Sequence, residues 1–122
     1  MIELKELTLG YGQRTLLETV NARITGGQLV ALLGRNGTGK STLLRCINQL
    51  TIPEKGRVWL HDDEVTNSGP KISYFRQKIG MVFQNFYLFD HLSAVRNVEI
   101  ALLKVKKMDP ESARRKALHE LE

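Results

Sequence analysis

Along the first part of the chain, apolar and polar positions alternate. Ile2, Leu4, Leu7 and Leu9 are interleaved with Glu3, Lys5, Glu6 and Thr8, the period of a half-buried strand. The alternation slips between Leu4 and Leu7, which predicts a bulge, and Gly10-Tyr11-Gly12 breaks it. Val20, Ala22 and Ile24 alternate with Asn21, Arg23 and Thr25 and predict a second strand ending at Gly26-Gly27. Leu29-Val30-Ala31-Leu32-Leu33 is apolar on both faces, the pattern of a central strand in a parallel sheet covered on both sides. A helix is expected from Lys40 to Leu50, with Leu43, Leu44, Ile47 and Leu50 turned inward. Pro53-Glu54-Lys55-Gly56 reads as a turn, Arg57–Leu60 and Glu64–Val65 as a hairpin around His61-Asp62, and Lys78–Phe83 as a further strand. From Ser93 the period becomes helical, through Val95, Val98, Ala101, Leu102 and Val105. Asp109-Pro110-Glu111 opens a last helix with an N-cap, a proline at the first position and an acid at the positive dipole end. That helix reaches Leu121-Glu122 without a glycine cap, so the chain reads as the N-terminal part of a longer protein.

Composition narrows the class without choosing a function. At 122 residues, with 42% hydrophobic and 25% charged residues, the chain is the size and make-up of one globular domain, not a disordered, collagen-like or membrane sequence. The longest clean apolar run, Leu29–Leu33, is far short of the ~20 residues of a membrane span. Met1 leads directly into the first strand, so no signal peptide is expected. The single Cys46 can form no internal disulfide and reads as helix packing; Trp59 reads as a strand residue. His61, His91 and His119 share no metal spacing. A net charge of +5 suits a phosphate ligand, an anionic membrane surface or nucleic acid. Lys104, Lys106, Lys107 and Arg114-Arg115-Lys116 supply much of it and read as a solvated helix face.

The chemistry is concentrated in Gly34-Arg35-Asn36-Gly37-Thr38-Gly39-Lys40-Ser41, which matches G-x-x-x-x-G-K-[ST] in full, after a buried apolar run and before a helix. Glycines let successive backbone N–H groups turn inward around an anion, and the helix adds its positive dipole end and unpaired N–H groups. Lys40 is a mobile cation for the β and γ phosphates, Ser41 a hydroxyl for Mg²⁺, and Thr42 a donor to a phosphate oxygen. A helix-capping glycine turn would account for Gly34 but not for the spacing, the lysine and the paired hydroxyls together.

Two longer runs, Gly37 through Asn48 and Arg76 through Phe89, resemble the ATP-binding subunit of ATP-binding-cassette (ABC) transporters, and within that family the importers of polar amino acids. The resemblance covers the whole chain. It implies an α/β phosphate-loop (P-loop) NTPase core with a mixed sheet, an N-terminal antiparallel β subdomain and the start of a helical subdomain. Residues 1–50 would hold strands and phosphate loop, 51–78 the β-hairpin region, and 79–122 the Q-loop and the helical start. It further implies Mg·ATP as ligand, bound by Tyr11 on the adenine and by Gly34, Asn36, Gly37, Thr38, Gly39, Lys40, Ser41 and Thr42 on the phosphates. Gln84, 44 residues after Lys40, matches the Q-loop glutamine, which contacts Mg²⁺ beside Ser41 and orients the attacking water. Asn85–His91 resembles the stretch that meets an integral-membrane permease; its alternative reading is core flanking a helix. A second ATPase subunit in a head-to-tail homodimer completes the implied assembly, cytoplasmic and peripheral on the inner face of the cell membrane. A soluble cassette ATPase acting on nucleic acid or ribosomes is the rival reading, and a binding-only fragment a third.

The sequence also departs from the family. It has no L-S-G-G-Q signature, no strand ending in Asp-Glu and no later switch histidine, so this segment by itself is expected to bind nucleotide without hydrolysing it well. Phe86-Tyr87-Leu88-Phe89-Asp90 has the outline of a Mg²⁺-ordering strand but is aromatic rather than β-branched, and His91 stands where a base would. The family usually has proline at Asp90 and often glutamate at Arg96; with arginine there, Ser93 loses its reciprocal capping partner. His61-Asp62 replaces a common Asp-Gly, which predicts a weaker hairpin or another turn type.

Overall fold

The computed structural model describes residues 1–12 and 14–122; Gln13 and the side chain of Tyr11 lie outside the described part. Strands β1 (Ile2–Tyr11), β2 (Arg14–Ile24), β3 (Lys55–Leu60) and β4 (Asp63–Glu64) form an antiparallel sheet in the order β2-β1-β3-β4. The bulge expected between Leu4 and Leu7 is present against both neighbours of β1. Glu6 takes φ 50° there, and its N–H donates to Asn21 Oδ1 at 2.9 Å, so the donor the bulge removes from the ladder is satisfied. β1 does not stop before Gly10-Tyr11: the pairing runs on to Tyr11 opposite Arg14. The β3–β4 turn is of another type than Asp-Gly would give. Only His61 has positive φ (56°), and its N–H donates to the Met1 carbonyl at 2.8 Å.

Alternation puts Leu4, Leu7, Leu9, Val58 and Leu60 on one face of this sheet. They pack with α1 (Lys40–Ile47), with Val65 and with Phe75 of α2 (Ile72–Lys78). The inner face of α1 is Thr42, Leu43, Cys46 and Ile47, an i, i+1, i+4, i+5 stripe. Leu44 and Leu50, assigned inward from the sequence, are exposed. The Arg76 guanidinium donates to the carbonyls of Asn48 (3.2 Å) and Gln49 (2.8 Å). α2 thereby satisfies acceptors left open past the end of α1. α2 and the 3-10 turn before it (Gly69–Lys71) occupy what the sequence reading left as hairpin region.

The two apolar runs predicted as further strands are not strands here. Leu29 and Leu33 are 100% and 88% exposed, and residues 29–33 have no ladder partner. Lys78 ends α2, Ile79 is extended (φ −114°, ψ 101°), and Val82 is 89% exposed. A strand exists only where another backbone answers its N–H and C=O groups, and none of the described residues does so for these segments. The mixed sheet implied by the resemblance is thus represented by its antiparallel part.

Residues 82–122 form a second compact unit, with helices α3 (Ala94–Lys104) and α4 (Pro110–His119). Both expected caps are made. Ser93 Oγ accepts from Arg96 N at 3.4 Å and Asp109 Oδ1 from Ser112 N at 2.9 Å. The latter bond favours the ionised acid and lowers the Asp109 pKa. The face of α3 read as inward is only half-buried at Val95, Val98 and Leu102, with Ala101 and Val105 exposed. Its buried residue is Glu99, 3% exposed, with Arg96 Nη1 at 3.3 Å and Arg114 Nη1 at 3.5 Å from its carboxylate oxygens. Arg114 is therefore not merely solvated, and Arg96 has an acid of its own helix three residues on.

Burial removes Cys46 from solvent and pushes its thiol up to about 11. The reactive thiolate is then about a thousandth of the total at pH 8. Native protein should react with an aromatic disulfide reagent at least about a hundredfold more slowly than urea-unfolded chain. Equal rates, followed by absorbance, would show that α1 is not docked on the sheet.

Candidate functional site

The segment from Gly34 to Gly39 runs into α1 without ladder partners, its tip turning at Asn36-Gly37. Gly37 and Gly39 take φ 79° and 93°, which side-chain-bearing residues adopt only under strain. Gly39 is also the N-cap of α1 and is buried, and a Cβ there would stand 3.3 Å from Leu16 Cβ and Leu17 Cγ of β2. Leu16 and Leu17 meet it together because Leu9 pairs with Leu17 and Gly10 with Thr15, leaving Leu16 as the extra residue of a bulge. The helix start thus lies close enough to the β1–β2 hairpin that a side chain at Gly39 would press on two leucines of β2.

Within the loop Thr38 Oγ1 donates to Arg35 O at 2.8 Å. The Lys40 ammonium folds back over the loop, donating to the carbonyls of Gly34 (2.8 Å) and Arg35 (2.7 Å). No side chain caps α1 and its first turn holds no acid. Its first N–H groups, which have no intrahelical acceptor, and its positive dipole end are therefore available to an anion. Ser41 is exposed at this end, whereas Thr42 is buried on the inner face of the helix. The arrangement is a cationic cradle of backbone donors with one mobile ammonium, and a polyphosphate fits its chemistry. Tyr11, assigned to the base, ends β1 opposite Arg14, and its side chain lies outside the described residues.

Gln84 is exposed in a turn of the second unit, not at the end of a strand. Phe86, Tyr87, Leu88 and Phe89 are exposed, by 71%, 62%, 65% and 47%, so within this unit they are not core. Phe86 and Tyr87 both take positive φ, 56° and 52°, a costly conformation for aromatic residues. Sequence reasoning missed Asn97, which fixes this stretch. Its side chain accepts from Phe89 N at 2.8 Å and donates to the carbonyls of Phe89, Leu92 and Ser93 at 3.1–3.2 Å. It also missed Glu99. A polar residue inside an apolar helical period was the available signal in both cases.

The model of the ABC transporter family matches residues 17–122. The arginine transport ATP-binding protein ArtM of Bacillus subtilis is 38% identical over 96% of this chain and 49% of its own length. The glutamate/aspartate import ATP-binding protein GltL of Escherichia coli is 37% identical over all of this chain and 51% of its own. The chain spans about half the length of the curated relatives it matches. Among solved structures, the dimeric bacterial ABC transporter cassette MJ0796 superposes with a TM-score of 0.87 at 35% identity, covering 98% of this chain and 55% of that one. The same cassette in a post-hydrolysis state with ADP and Pi superposes with 0.85 at 34%. The phosphate-loop geometry, the family match across most of the chain and these structural likenesses agree: the chain belongs to the ABC transporter family, and its fold is that of the N-terminal part of an ABC ATPase cassette.

Proposed function

We propose that these residues carry the triphosphate cradle of an ATP-binding subunit whose ATPase activity powers import of a polar amino acid. The observation that carries this reading is the Lys40 ammonium, held over a glycine loop at an uncapped helix start. The curated relatives named as arginine, glutamine and glutamate/aspartate transport proteins support the solute class. In this reading backbone groups of Gly34, Asn36, Gly37, Thr38 and Gly39 surround the phosphates, Lys40 spans β and γ, and Thr42, its side chain buried, adds its backbone N–H from the first turn. Tyr11 stacks on the adenine. Ser41 would hold Mg²⁺, which neutralises phosphate charge when bound, and Gln84 would take the Q-loop role that the resemblance implies. A second subunit supplies the signature segment to this site, and the exposed Asn85–His91 stretch, held at Phe89 by Asn97, meets the permease. No helix among the described residues is long and apolar enough to cross a membrane. A peripheral cytoplasmic position beside an integral-membrane partner accords with the transporter reading.

Lys40→Ala in the full-length protein should abolish Mg·ATP binding by calorimetry with circular dichroism unchanged, because among the described residues the Lys40 ammonium bonds to loop carbonyls. Unaltered affinity would overturn the cradle. Tyr11→Ala should weaken ATP by about 1–3 kcal/mol and tripolyphosphate hardly at all, since stacking acts on the base alone; Tyr11→Trp should bind normally. Equal losses for both ligands would make Tyr11 a turn residue.

Gln84→Ala should leave nucleotide affinity nearly intact and reduce solute-stimulated ATPase in reconstituted membranes. A neutral amide adds little ground-state affinity, and orienting water matters in the transition state. Stimulation that survives at full strength would remove Gln84 from the coupling role.

A further inference from the structure

We propose that Arg14, at the tip of the β1–β2 hairpin, is a second cation of the nucleotide site, directed at the phosphate chain of the bound nucleoside triphosphate. The proposal rests on the nucleotide reading above and adds to it a residue outside the phosphate-loop motif.

The sheet register supplies the direction. Gly10 pairs with Thr15 and the next pair outward joins Tyr11 and Arg14. Thr15 lines a hollow with Thr8, Glu18 and Glu54, and a Cβ on Gly10 would run into the Glu54 carboxylate. The Gly10–Thr15 pair therefore points to the side of the hairpin where Glu54 stands. Successive residues of a strand point to opposite faces, so Arg14 projects from the other side. Leu16 is on that side too, and its Cβ approaches Gly39 at the start of α1. Arg14 is two residues further out along β2, roughly 7 Å of extended chain, and an arginine side chain spans a comparable length.

Charge supports the same assignment. Arg14 is exposed and forms no ion pair with any described residue. Of the acids in the hairpin region, Glu6, Glu18 and Glu54 line the opposite hollow. The side of the hairpin that carries Arg14 thus presents an unneutralised guanidinium to a helix start that carries no acid in its first turn. A guanidinium offers paired donors that match phosphate oxygens, and it keeps its charge at any physiological pH. Lys40 answers the far end of a triphosphate from inside the loop, whereas Arg14 approaches from the strand that also bears the leucines packed on Gly39.

The test is calorimetry on the full-length protein with ATP, AMP and tripolyphosphate, at low and high salt. Arg14→Ala should weaken ATP and tripolyphosphate alike by about three- to tenfold, AMP less, with the difference shrinking as salt rises. Arg14→Lys should recover part of the loss, because charge remains without the paired donors. Loss for ATP with tripolyphosphate unchanged would overturn the proposal, placing Arg14 on the base or ribose. No loss for either would leave it a solvent-facing arginine of the turn. Lys40→Ala run in parallel separates the two readings. If Lys40→Ala abolishes tripolyphosphate binding while Arg14→Ala does nothing, the cradle stands and only the Arg14 assignment falls.

Discussion

The seating of Gly39 on the β2 bulge is the contact on which the rest of the first unit depends. α1 begins at Lys40, and the glycine just before it faces Leu16 and Leu17 so closely that a Cβ there would stand 3.3 Å from both. Any side chain at Gly39 would have to press two leucines aside by a few tenths of an ångström and hold φ near 93°. With that contact made, the inner stripe of α1 meets Leu4, Leu7 and Leu9 of the sheet, and the dipole end of the helix is fixed relative to the hairpin tip. An anion site made of backbone donors needs this kind of rigidity. Peptide N–H groups cannot reorient one at a time, so their convergence is set by how the helix start is held.

Lys40 shows how such a loop manages its own charge. Its ammonium occupies two loop carbonyls at 2.7–2.8 Å, so a phosphate must compete for a cation that already has hydrogen-bond partners. The arrangement keeps the lysine beside the cradle and places its charge where the ligand's charge would sit, at the cost of part of the binding energy. Ser41, exposed one residue on, has no such partner among the described residues, and Thr42 is turned into the core. Neighbouring hydroxyls in one motif therefore have different surroundings, as expected when a helix passes from solvent to sheet within one turn.

The second unit relies on polar bonds where an apolar period suggested ordinary packing. Glu99 is the buried residue of α3 and draws one arginine from its own helix and one from α4. Ala113 and Ala117 are fully buried in α4, and such small residues permit close approach. Asn97 spends its amide on four backbone groups of the preceding stretch. Phe89, the last of the exposed aromatic run, is thereby presented on an anchored backbone.

Much of the local architecture follows from the sequence by itself, because its causes are local. The Leu4–Leu7 slip, the caps at Ser93 and Asp109, the turn at His61-Asp62 and the phosphate-loop motif are each set by a few neighbouring residues, and each is present. What needs a distant partner was decided by tertiary structure. Leu29–Leu33 and Lys78–Phe83 have the composition of strands, yet composition cannot provide the second backbone that makes a strand. The extent of β1 through Gly10-Tyr11 was likewise set by β2, whose pairing overrode Gly10, while Gly12 lies in the turn. Leu44 is as hydrophobic as Leu43, but only the placement of the sheet decides which side of α1 is inside, and Leu50 lies past the end of the helix. The same holds for Glu99 and Asn97: a sequence shows that a polar residue interrupts an apolar period, and only the fold brings the arginines and the carbonyls that make it worth burying.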